Sequence, residues 1–445
     1  MFDGIIKEKK FCGLDIGPRS VKASLLKAQG MDALQVLGVH ESKTKGFKDA
    51  SVTDLGEFSE CIHHTMSGLT KKTGVKVKDV QLGVGGDLVE PRGSSALIPL
   101  VDRGSKVITF TDINKVRKQA QLLGLNADEE VLHDFPRYYR VDDVNIALHP
   151  LGLYGRKLEV DLLLILAHTT RIRNIVKAVN QAGYEVANLF FSSYAAAQVS
   201  LDDKMQREGC VLVDIGSCMT NLLMFKGGIL KHLTQIPLGG WHVTKSIAQT
   251  FHLSFDLAEE IKESYAMAAS PTEKSDEEIL VKNETAYVPI KREAICQSIE
   301  PEIEKIVAAI AASLKKAPIA DQINSGVVMV GGCTILPGLM ERIEKAIHWP
   351  VRMGKVCLTH STAPSSLRGE PSLKRFAAQS DAVERKVGEE VTNFNMINAP
   401  VFMSAIGLAQ CGFVKSMRFA LYADKPERWT VGLSQRVREL YQEYF

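Results

Sequence analysis

Two aspartates stand in matching surroundings. Asp15 lies in FCGLDIGPRSVKASLLK (11–27) and Asp214 in CVLVDIGSCMTNLLMFK (210–226). Each segment reads as an apolar strand, Asp-Ile-Gly, a tight turn and a second strand. Asp15 and Asp214, and Gly17 and Gly216, share one register, so one hairpin is used twice. A glycine-containing turn lets backbone N–H groups approach a phosphate closely. An aspartate at the strand end suits a hydrated Mg²⁺, which takes carboxylate plus phosphate oxygens. Two such hairpins facing each other would clamp a polyphosphate, with Lys22 on the second strand of the first hairpin adding a point charge. The plain alternative is two ordinary hairpins whose aspartates cap turns. A third glycine site follows in GVVMVGGCTILPGL (326–339), where an apolar strand ends at Gly331–Gly332 before a helix expected over 339–347. Its glycines permit close packing against a flat ligand such as a nucleoside.

The order hairpin, hairpin, GG loop resembles the actin–Hsp70–sugar kinase ATPase superfamily. Within it, the chain resembles the FtsA family of bacterial cell division. The similar segments are LHDFPRYYRVDDVNIALHPLGLYGRKLEVDLL (132–163), NIVKAVNQAGYEVANL (174–189), IPLGGWHVTKSIA (236–248), AEEIKESYA (258–266), PVRMG (350–354) and APVFMSAIGLA (399–409). The resemblance implies an α/β, actin-like duplicated ATPase fold with a small inserted α+β subdomain of SHS2 type. It implies ATP and Mg²⁺ as ligands. The nucleotide residues would be Asp15, Gly17, Lys22, Asp214, Gly216, Ser217, Thr220, Glu259, Lys262, Gly331 and Gly332, with Asp15 and Asp214 reaching the metal through water. Glu259 and Lys262 match the family's AExxK helix near the nucleoside; an exposed helix face is the other reading. The implied role is a polymerising adaptor that tethers FtsZ-like filaments to the cytoplasmic face of the cell membrane at the division site. The rival within the superfamily is a PilM-like scaffold of type IV pilus assembly, whose second hairpin carries an Asn like Asn221. A sugar kinase is disfavoured, because no motif supplies its catalytic base. An Hsp70-like chaperone is disfavoured, because no substrate-binding region follows the core.

The departures from the family gather on the phosphate hairpins. Pro18 stands where Thr or Ser is usual and offers neither hydroxyl nor N–H. Arg19 either compensates with its guanidinium or is a surface charge. In the second hairpin Cys218, Met219 and Asn221 replace Gly, Thr and Asp, and Cys333 replaces a frequent Gly in the third loop. No residue stands out as a general base. Phosphoryl transfer depends on positioning and charge stabilisation. The expected activity is therefore weak ATP binding with at most a weak ATPase, or a nucleotide-independent scaffold.

The elements that must position these residues follow from pattern. Residues 1–85 and 166–206 are expected to form the first actin-like half. Residues 86–165 would be the insert, which the family uses for protofilament contacts. Residues 207–423 would be the second half, and 424–445 a hinge and terminal helix. A helix is expected over 55–72, with apolar residues at 58, 61, 62, 66 and 69, and another over 112–123, capped by Asp112. Residues 271–285 and 362–396 read as loops, the latter with one short helix. In the tail, Leu433, Val437, Leu440, Tyr441, Tyr444 and Phe445 form a helical stripe, preceded by Trp429. By resemblance this is a membrane-targeting helix; docking on the body or on a partner are the alternatives. Glu439 and Glu443 cancel Arg436 and Arg438, so binding would rest on the apolar face and on several copies in a polymer.

Composition agrees. The 445 residues carry 54 Lys+Arg against 52 Asp+Glu, a net charge of +2, which disfavours a nucleic-acid partner. No stretch approaches the roughly 18 apolar residues of a spanning helix, and the N-terminus lacks a signal-peptide core. The eight cysteines form no CxxC pair and read as small buried hydrophobes. His63–His64 reads as a solvated helix face.

Overall fold

A computed structural model describes residues 9–29, 33–101, 104–143, 145–269, 278–283, 286–358 and 399–422. Two five-stranded sheets share one plan. The first runs Ala33–Lys43, Ser20–Gln29, Lys10–Ile16, Asp79–Val84, Glu185–Phe191; the second runs Ile229–Ile236, Thr220–Lys226, Cys210–Ile215, Val327–Val330, Val351–Met353. In each, three antiparallel strands continue into two parallel ones. The expected hairpins are present. Their central strands are apolar throughout because both faces are covered. Asp15 pairs with Lys22, and Asp214 with Asn221, so Lys22 and Asn221 hold equivalent positions.

Between the sheets lie the helices Ser192–Ser200 and Ala399–Tyr422. The second sheet divides its strands by side: Val211, Val213 and Ile215 join one core, while Leu212, Val328 and Val330 join the core shared with the first half. The sequence reading put 399–422 with the second half. Its partners are instead the first sheet and helix Ser192–Ser200, because its apolar surface fills the space between the two sheets. A Cβ on Gly407 would sit 1.9 Å from Ala195 O, so that contact requires glycine.

Strands Asn145–Ala147, Glu129–Val141, Lys157–His168 and Val89–Pro99 form a separate four-stranded sheet, covered on one side by helix Phe110–Leu123. That helix is capped by Thr109. Asp112 is not the cap but the reciprocal member of a capping box, accepting the Thr109 N–H at 3.0 Å. Helix Leu55–Thr73 begins at Asp54 and buries the expected face, leaving His63 and His64 exposed. The loop expected over 271–285 is partly strand. Glu278–Asn283 pairs with Ala286–Lys291, and the alternating Ile279 and Val281 are buried, a period-two pattern that the flanking charges obscure. The loop expected over 362–396 and the tail stripe of Trp429, Leu433, Val437, Leu440, Tyr441, Tyr444 and Phe445 lie outside the described residues. Among the described residues no helix is long and apolar enough to cross a membrane. Five of the eight cysteines are buried.

Candidate functional site

Both aspartates reach the same helix start. Ser192 Oγ donates to Asp15 Oδ1 at 2.6 Å, and Ser193 Oγ donates to Asp214 Oδ2 at 2.6 Å. Burial pushes the Asp15 carboxyl up, opposed by Lys22 and by the Ser192 bond. Burial pushes Asp214 up to about 6; the Ser193 bond and Lys22 oppose this, and the charge of Asp15 adds to it. One lysine therefore serves two carboxylates, from two halves, that feel each other's charge.

The hairpin turns match in detail. Gly17 N donates to Ser20 O at 3.2 Å, and Gly216 N to Met219 O at 2.9 Å. The second turn is braced by helix Gly240–Phe251, whose Gly240 and Trp241 N–H groups donate to Gly216 O at 3.0 Å and Ser217 O at 2.7 Å. Thr220 is fully buried, and its hydroxyl donates to Leu238 O at 2.8 Å, so that hydroxyl supports the loop. Arg19, in the first turn, reaches across to Glu259 at 2.9 Å and Glu263 at 2.5 Å.

The third loop closes the site from the other side. Gly331 has φ +97°, and a Cβ there would lie 2.6 Å from Asp214 Oδ1. At Gly332 nothing lies within 4 Å of such a Cβ. Glu259 and Lys262 are not an exposed helix face. Both are largely buried, with Lys262 Nζ donating to Glu259 at 2.7 and 2.8 Å and to Thr244 at 2.9 Å. Thr244 also donates to Glu259. Gly240 lies against Lys262 and Cys333, the latter a buried thiol pushed up to about 11.

Among the described residues no group of three or more His, Cys, Asp or Glu can cage a metal. Two carboxylates beside glycine turns fit instead a Mg²⁺ that keeps most of its waters and takes phosphate oxygens. Sequence reasoning did not find Ser192 or Ser193. Two small hydroxyl residues after the apolar strand Glu185–Phe191 were the only signal.

A family model described as "Cell division protein FtsA" matches residues 211–377, and one for the "SHS2 domain inserted in FTSA" matches residues 91–166. The chain is similar to cell division protein FtsA of Streptococcus pneumoniae, 30% identical over 78% of this chain and 76% of that one. It is similar to the same protein of Pseudomonas aeruginosa, 28% identical over 84% and 88%. Among solved structures it resembles a chain of the PilM–PilN type IV pilus biogenesis complex, with a TM-score of 0.60 and 16% identity over 91% of this chain and 98% of that one. That likeness shows the fold alone: the duplicated actin-like architecture.

Proposed function

The chain belongs to the FtsA family of cell division proteins, and from that premise we propose that it is an ATP-binding, self-associating adaptor. It would link filaments of an FtsZ-like protein to the inner face of the cytoplasmic membrane at the division site. The observation that carries the nucleotide part is the convergence of Asp15, Asp214 and Lys22 beside the open position at Gly332. On this reading Gly17, Gly216 and Ser217 border the phosphates, with Mg²⁺ held through water by the two aspartates. Glu259, Lys262, Gly331 and Gly332 border the nucleoside, and Thr220 supports the loop between. The chain's own groups bind and orient. No side chain of the site is placed as a general base, and Asn221 stands where the family carries an acid, so any hydrolysis is slow. Attachment to the membrane is assigned to the stripe from Leu433 to Phe445, with Trp429 before it.

A titration with a fluorescent ATP analogue and Mg²⁺ tests the nucleotide part. Saturable binding that Asp214→Ala abolishes is expected; no binding at millimolar nucleotide would leave a nucleotide-independent scaffold. A second reading, a PilM-like pilus scaffold, draws on the fold likeness and on Asn221. Vesicle co-sedimentation separates the two: the adaptor pellets with vesicles and loses this when 429–445 are removed, whereas a pilus scaffold does not pellet.

A further inference from the structure

Three polar side chains outside the expected site run in a line to Asp214. Gln235 Nε2 donates to Asn221 Oδ1 at 3.2 Å and to Gly86 O at 3.4 Å. Asn221 Nδ2 donates to Ser193 Oγ at 3.0 Å, and Ser193 Oγ donates to Asp214 Oδ2 at 2.6 Å. Each bond sets the direction of the next. Gln235 occupies the oxygen of Asn221, so the amide NH₂ faces Ser193. A serine hydroxyl carries one proton; with the amide donating to its oxygen, that proton is left for Asp214. Ser193 is 2% exposed and Asn221 5%, so water does not compete for the bond between them. Asp214 Oδ1 remains, beside Gly331, where only a glycine leaves it room.

We propose that Asn221, acting through Ser193, is a positioning residue for Asp214, holding one carboxylate oxygen so that the other faces a divalent cation shared with Asp15. This rests on the nucleotide reading above. It also reverses the meaning of the residue: Asn221 is not a lost acid but the donor that this arrangement requires. An aspartate at 221 would sit opposite Asp214 in the ladder, add a third negative charge, and compete for the Ser193 proton. Ser192 holds Asp15 in the same way from the neighbouring position, so one helix start sets the carboxylates of both halves.

The test uses the full chain, with Mn²⁺ as probe followed by electron paramagnetic resonance at saturating ADP. Binding of a fluorescent ADP in the presence of chelator is measured in parallel. Ser193→Ala is expected to weaken Mn²⁺ about tenfold, the lower end for partners that orient metal-binding carboxylates. Asn221→Ala should weaken it in the same direction and by less, and Ser193→Thr should restore wild-type affinity. Metal-free nucleotide binding should not move. Unchanged Mn²⁺ affinity in both alanine variants overturns the proposal. So does an equal loss of Mn²⁺ and metal-free nucleotide binding, the signature of a merely structural role. A wild-type chain that binds neither probe removes the nucleotide reading itself, a result distinguishable because wild type and variants are then alike.

Discussion

Gly331 and Gly332 are neighbours with opposite surroundings, and they separate packing from binding. Gly331 needs both a left-handed backbone and the space beside Asp214 Oδ1 and Ile215 O. Gly332 faces open space. Gly331→Ala is therefore expected to cost about 1–3 kcal/mol of stability, the range for a strained backbone position. Gly332→Ala should stay within about 0.5 kcal/mol of wild type yet weaken nucleotide binding, because its methyl enters the cleft. Denaturant melts and the ATP-analogue titration read the two effects. Equal stability of both variants would contradict the geometry. Other residues were less legible. The pattern Asp-Ile-Gly announces a turn, but nothing in the sequence shows that Ser192 and Ser193 end up under the two aspartates, since their distance from Asp15 in the chain is closed only by the fold. Arg19 had two readings; its partners turned out to be the glutamates of a helix more than two hundred residues away.

At the scale of elements, local pattern was a good guide where one face meets one core. The hairpins and helix Leu55–Thr73 follow their periodicity. Strand Lys157–His168 shows why the rest was harder. Leu158, Val160, Leu162, Leu164 and Leu166 enter the core of the insert, while Leu163, Ile165 and Ala167 enter that of the first half. A strand shared by two cores loses its alternation and reads as a plain apolar run. Opposite Ile165 stands His133, at the joint between insert and first half. Its ring packs among Phe135, Phe190 and Tyr194, and its Nε2 accepts the Phe191 N–H at 3.0 Å. Burial, and secondarily Lys415, pushes it down to about 4. The unfolded chain thus takes up the proton first as pH falls below the ordinary histidine value. The neutral ring contributes stability above that value, and the contribution is lost as pH drops toward 4. By pH 5 the loss should be about 2 kcal/mol. Asp214, pushed up to about 6, works the other way, since the folded state holds its proton more tightly. The comparison must therefore be with His133→Gln, which keeps an acceptor for Phe191. On going from pH 7.5 to 5 the urea midpoint of wild type should fall relative to that of this variant, and parallel pH dependence in the two would refute the assignment.

Ion pairs cross the cleft between the halves, beside the apolar core that both share. Asp256, Glu259 and Glu263 lie along one side of helix Phe255–Tyr265 in the second half. They meet Lys43 and Arg19 of the first half: Lys43 pairs with Asp256, and Arg19 with Glu259 and Glu263. Arg19 and Glu263 are 45% and 51% exposed, so their pair contributes about 0–1 kcal/mol and is screened by salt. A contribution of that size is small beside the apolar core that the two halves share. The pair also sets up a competition, because an entering polyphosphate offers Arg19 a second anion beside the turn it already occupies. Removing either partner weakens the latch, but the two variants are not equivalent. Glu263→Gln leaves Arg19 with Glu259 as its remaining partner while keeping its charge near the phosphates, so the ATP analogue should bind tighter, by up to about fivefold if the full 1 kcal/mol is released. Arg19→Ala opens the latch and also removes the cation, and these effects oppose each other. Its affinity should therefore change little, while hydrogen exchange at the turn 17–20 and in helix Phe255–Tyr265 quickens in both variants. High salt should quicken exchange in wild type more than in Arg19→Ala. If Glu263→Gln alters neither affinity nor exchange, the ion pairs do not govern the cleft, and closure must rest on the apolar core shared by the two halves.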